Sequence, residues 1–124
     1  MLLPTDPRWG TRRLRRLVLR AELANPANQN ATEFVELLVD LTLVHSIVPT
    51  AILQRLGISP WSERDFLLAN GSTVRRKLAG VLMKHHGDIA MVNVIFGGEG
   101  DSPRVGTLAL EALGFLFSNA TKRP

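Results

Sequence analysis

Polar and apolar positions alternate from Leu17 to Leu23: Leu17, Leu19, Ala21 and Leu23 fall on one side, Arg16, Val18, Arg20 and Glu22 on the other. A two-residue period predicts a half-buried strand. Asn25-Pro26-Ala27-Asn28-Gln29-Asn30 gathers turn formers and predicts a turn. Phe34 to Val39 predicts a second, more deeply buried strand ending at Asp40, and Ser46 to Val48 a further extended piece. The period then changes. Ile52, Leu53 and Leu56 share one face of a short helix over Pro49 to Leu56, with Pro49 suited to its first turn and Gly57 to a left-handed close.

The second half repeats this order. Phe66-Leu67-Leu68-Ala69 and Ser72-Thr73-Val74 flank Asn70-Gly71, a strong hairpin signal, and Leu78 to Met83 extends the returning strand. His86-Gly87-Asp88 predicts a turn, Ile89 to Phe96 a strand, and Gly97 to Pro103 a loop. A second short helix fits Thr107 to Leu113, closed by Gly114, and Phe115 to Phe117 ends the core. Leu56-Gly57-Ile58 is echoed by Leu113-Gly114-Phe115, so each half closes on a short helix. The expected fold class is mainly β, a small closed or partly closed barrel with one or two short helices.

A chain of 124 residues predicts one domain. The pattern divides it into a basic arm (1–16), a core domain (17–117) and a polar tail (118–124). Cysteine is absent, which excludes disulfides and thiolate metal sites and fits a reducing, cytoplasmic location. No apolar run approaches the ~18 residues of a membrane span, so no membrane partner is expected. Arg12, Arg13, Arg15, Arg16 and Arg20 concentrate the net charge of +4. They suit either a polyanion or a solvated edge strand. No aromatic residues interleave with them, so base stacking is unsupported and nucleic acid is not an expected partner.

The candidate chemistry centres on Asp40, the carboxylate that interrupts the apolar run from Leu37 to Val48. A charge there is costly to bury unless it is satisfied or neutralised. It is either a reactive carboxylate or the cap of the following turn. Other constellations are weaker. The Gly97–Gly100 loop lacks the lysine of a phosphate cradle, and His85-His86 fits a turn better than a metal site. Ser46 beside His45 does not make a triad. Asp65, Asp88 and Asp101 are expected to be solvated, and Trp9 and Trp61 to be packing residues. No cofactor and no metal are expected.

These motifs in order carry a family resemblance: Asn25-Pro26, Val39-Asp40, Ser46-Ile47-Val48-Pro49, Leu56-Gly57-Ile58, Leu68-Ala69-Asn70-Gly71-Ser72, Val94-Ile95-Phe96-Gly97, Glu99-Gly100-Asp101, Pro103, Gly106 and Leu110-Glu111-Ala112-Leu113-Gly114-Phe115. From Val18 to Phe117 the chain resembles the single-domain, retropepsin-like aspartic proteases of prokaryotes. The resemblance implies a homodimer in which each copy gives one aspartate, here Asp40, to a dyad. One carboxyl stays protonated as acid while the other activates water. It further implies that Ala69, Asn70, Gly71 and Ser72 form a flap over a peptide or protein substrate. Pro103 to Gly106 would then pack beneath the active-site loop.

The loop itself departs from the family pattern of Asp, Thr or Ser, Gly, Ala. Here it reads Asp40-Leu41-Thr42-Leu43. Leu41 removes a hydroxyl that bonds across the dimer, and Thr42 replaces a glycine that lets backbone approach substrate. Arg104 stands where the family is apolar and is placed either to pair with Asp40 or to face solvent. Two main readings follow: an aspartic endopeptidase, and a degenerate relative (a pseudoenzyme) that binds peptides as a dimer by strand addition. A basic nucleic-acid-binding protein ranks last.

Overall fold

The computed structural model describes residues 17–68, 70–98 and 100–115. The basic arm (1–16), Trp9, the flap residue Ala69, Glu99, Leu116, Phe117 and the polar tail lie outside the described residues.

Strands β1 (Val18–Asn25) and β2 (Asn28–Val39) form an antiparallel hairpin. The turn occupies only Pro26 and Ala27, not the six residues expected. Asn25 accounts for the contraction. Its Oδ1 accepts the Ala27 N–H at 2.8 Å, and its Nδ2 donates to the Leu56 carbonyl at 2.9 Å. One side chain thus sets the turn and ties the hairpin to the end of the first helix. Asn28, Gln29 and Asn30 belong to β2 and are exposed there; Asn28 pairs with Asn25, and the register with β1 shifts before Thr32 pairs with Ala24. In β1 the expected face is buried, with Leu19, Ala21 and Leu23 in the core and Val18 exposed. β2 is less buried than expected: Val35 and Leu37 point inward, but Phe34 is 61% exposed.

The chain continues through β3 (Ser46–Pro49), α1 (Thr50–Arg55), β4 (Ser62–Leu67), β5 (Thr73–His85), β6 (Asp88–Gly97), β7 (Arg104–Val105) and α2 (Thr107–Ala112). The sheet order is β1-β2-β7-β3-β6-β5-β4, and β1 also pairs with β5. Six strands therefore form a ring, and β4 hangs from the first half of β5 as a projecting hairpin arm. β2 pairs with β7, and β3 with β6, in parallel; the other pairings are antiparallel.

The ring encloses one core. Leu19, Leu23, Leu37, Val48, Val81, Met83, Val94 and Val105 fill it, and Leu53 and Leu110 plug it from the two helices. Each leucine removed from water contributes about 1.5–3 kcal/mol. Both helices end alike. The Gly57 and Ile58 N–H groups return to Gln54 and Leu53, and the Gly114 and Phe115 N–H groups to Glu111 and Leu110. Gly57 and Gly114 adopt φ of +75° and +95°, the left-handed close expected of them.

The β5–β6 turn at His86-Gly87 stands as expected, with φ of 49° and 88°. The rings of His85 and His86 meet edge-on at 4.2 Å, because His86 leaves the extended conformation. Among the described residues no helix is long and apolar enough to cross a membrane.

Candidate active site

β2 delivers Asp40. Its N–H donates to the Val105 carbonyl at 3.0 Å and that of Leu38 to Pro103 at 3.0 Å, so β7 braces the strand end. In the segment Pro103 to Gly106, expected to pack beneath the active-site loop, Arg104 and Val105 form this two-residue strand, in register with Leu38 and Val39. The register explains the next contact. Arg104 lies beside Leu38, and Asp40 follows Leu38 by two residues on the same face. Arg104 Nη1 reaches Asp40 Oδ2 at 3.1 Å.

The other carboxylate oxygen is also committed. Asp40 Oδ1 accepts the Thr42 N–H at 3.0 Å and the Thr42 hydroxyl at 2.5 Å, while the Leu43 N–H returns to the Asp40 carbonyl at 3.2 Å. Asp40 therefore caps the turn that follows it. Its side chain is 20% exposed, against 41% for Arg104. Burial alone pushes this carboxyl up. The two Thr42 hydrogen bonds and the Arg104 charge and hydrogen bond outweigh it and hold the carboxyl below its ordinary value. Asp40 is accordingly ionised at neutral pH.

The loop rests on α2. The Thr107 and Leu108 N–H groups donate to the Leu43 and Val44 carbonyls at 2.8 and 3.2 Å. The Gly106 N–H donates to the Oγ of buried Ser46 at 2.9 Å. A Cβ on Gly106 would lie 2.8, 2.8 and 2.9 Å from the carbonyl oxygens of Leu43, Val44 and His45, so glycine is required by close approach. Leu41, Val44 and Leu108 are half exposed. The Leu108–Val44 backbone bond places two of them together on the rim of the loop.

The β4–β5 hairpin reaches this loop through its arm. Phe66 meets His45 with ring centroids 5.7 Å apart. Burial and the Arg64 charge push His45 below its ordinary pKa, so it is neutral at pH 7. The hairpin tip braces itself: the Leu68 N–H donates to the Ser72 carbonyl at 2.7 Å, and Asn70 Oδ1 accepts the Ser72 N–H at 2.9 Å and hydroxyl at 2.6 Å. Gly71 takes φ of +90°. Among the described residues no hydrogen bond joins Asn70, Gly71 or Ser72 to Asp40.

The structure thus groups Asp40, Leu41, Thr42 and Leu43 in one loop and answers the choice left open for Arg104, which pairs with Asp40. Sequence reasoning weighed Ser46 only as a triad member and missed its hold on the Gly106 N–H, whose signal was a lone hydroxyl opening an apolar strand; it missed Arg64, which carried none. Trp61 was expected to pack but is 70% exposed, because it precedes the edge strand β4 and lies outside the ring.

No family model matches the chain, and no curated protein matches it. Among solved structures it is similar to the EIAV protease in complex with the inhibitor HBY-793. The TM-score is 0.61 with 16% identity, over 83% of this chain and 92% of that one. The likeness defines the class by fold: the chain is mainly β and has the retropepsin-like fold.

Proposed function

We propose that this chain is a homodimeric peptide-binding module of retropepsin-like fold in which Asp40 anchors the loop and does not hydrolyse peptide bonds. The Arg104–Asp40 ion pair carries this reading. A dyad needs one carboxyl that keeps a proton near the working pH and one that does not. Here both oxygens of the carboxylate are engaged by donors, and every neighbouring partner favours the charged form. A second copy carries the same Arg104, so each carboxylate of such a pair keeps a cation beside it that opposes sharing a proton. Leu41 offers no hydroxyl to bond across a two-fold axis.

Peptide binding and self-association draw on the surface around the loop. Leu41, Val44 and Leu108 expose apolar area on the rim, suited to a second copy. The hairpin arm lies over the loop through the Phe66–His45 contact, and β4 ends the sheet order, which leaves one edge open for an extended segment. A second reading, hydrolysis by an Asp40 dyad, draws on the place of Asp40 in a fold shared with an aspartic protease.

The test combines sedimentation with a peptide-library cleavage assay from acid to neutral pH. A dimer that retains peptides uncut is the expected result. Cleavage that vanishes in Asp40→Asn would establish the second reading, and a strict monomer would remove both.

A further inference from the structure

The two faces of the β4–β5 hairpin differ in charge balance. Glu63 and Asp65 share one face with Arg75, whose Nε lies 3.2 Å from Asp65 Oδ1 and whose Nη1 lies 3.7 Å from Glu63 Oε1. On the other face Arg64 stands directly opposite Arg76. Side chains of directly opposed residues lie about 5 Å apart at Cβ, and like charges so placed destabilise a strand pair. Among the described residues neither arginine forms an ion pair. Asp101 lies across Gly98 from Arg76, and its Oδ2 is taken by the Gly98 N–H at 2.7 Å.

The cationic face is the one turned to the Asp40 loop. Phe66 follows Arg64 by two residues, so both point the same way, and Phe66 meets His45. Arg64 also lines a shallow pocket with Trp61, Ser62, Leu78 and Asn93. Arg64, Trp61, Ser62 and Asn93 all carry donor groups, and among the described residues no carboxylate lines the pocket. An arginine fork matches a planar carboxylate in two parallel bonds.

We propose that the hairpin face above the Asp40 loop selects an acidic peptide, Arg64 and Arg76 receiving its side-chain carboxylates. The proposal rests on the peptide-binding reading and adds the class of peptide. A nucleic acid fits less well, because polyphosphate binding draws on many cations, and within the β4–β5 pairing only Arg64 and Arg76 stand on this face. An anionic side chain between two opposed arginines relieves their repulsion, so the ligand restores what the free hairpin gives up.

Fluorescence anisotropy tests this with a labelled Glu-rich peptide, its Gln counterpart and an oligothymidylate. The Glu-rich peptide should bind about tenfold more tightly than the Gln peptide. Arg64→Gln with Arg76→Gln should abolish that preference while keeping the affinity for the Gln peptide, and Lys77→Gln on the opposite face should leave it intact. Arg64→Gln alone removes a like-charge pair, so its melting temperature should hold or rise, which keeps the comparison among folded proteins. Equal affinity for the two peptides, a preference that survives the double substitution, or oligothymidylate bound as well as the Glu-rich peptide would each overturn the selection for acidic peptides. Binding of neither peptide would overturn the peptide-binding reading with it.

Discussion

Arg104→Leu combined with Leu41→Thr and Thr42→Gly should create acid-pH peptide hydrolysis where the native chain is expected to show none. Each change removes one obstacle. Arg104→Leu deletes the cation that contacts Asp40 Oδ2 at 3.1 Å, so the carboxyl rises towards a value at which two copies share a proton. Thr42→Gly deletes the hydroxyl that occupies Asp40 Oδ1 and frees the backbone from a β-branched residue. Leu41→Thr supplies a donor and acceptor at the rim, where the leucine is 50% exposed and its replacement loses little packing. General acid–base participation is worth about 10²–10⁴-fold, which sets the scale of the expected gain. Adding Asp40→Asn to the triple variant should return it to baseline. A triple variant that dimerises, folds and stays inert would show that the ion pair is not what silences the loop.

Gly106→Ala should be the most damaging single substitution to stability in the loop region. Its Cβ would meet three backbone carbonyl oxygens at 2.9 Å or less, and none of these is the end of a flexible side chain. The carbonyls of Leu43 and Val44 already accept the Thr107 and Leu108 N–H groups, so retreat breaks the bonds that seat the loop on α2. The expected cost is about 3 kcal/mol or more, combining overpacking with lost hydrogen bonds. Thermal unfolding should fall by about 10 °C or more. Gly80→Ala is the control. There a Cβ finds only ordinary contact, at 3.5 Å from Met91 Sδ, and the melting temperature should change little.

What the sequence showed of the fold follows from local physics. The two-residue alternation of Leu19, Ala21 and Leu23 announced β1, and the two glycine closes announced both helices, because each is written in neighbouring residues. The start of β2 was hidden because Asn28 to Asn30 carry exposed side chains that read as turn and open the strand across a register shift against β1. β7 was hidden because two residues held by partners more than 50 positions away leave no period to detect. The candidate site divides the same way. Asp40 stood out as a lone charge in an apolar run, and its capping of Thr42 lies within local reach. Its bond to Arg104 depends on a parallel register between β2 and β7 that no local pattern encodes. The cationic face of the hairpin escaped notice for a related reason. Arg64 and Arg76 are opposed only once Asn70-Gly71 has fixed the pairing of β4 with β5.

The carboxyl carbon of Asp40 can be followed by NMR through an acid titration, in the native chain and in Arg104→Leu. The expected curve for the native chain is one step below the ordinary aspartate value, moving upward when Arg104 is replaced. A native curve raised above that value, or split into two steps as in a pair of carboxyls sharing one proton, would contradict the assignment of Asp40 as an ionised anchor.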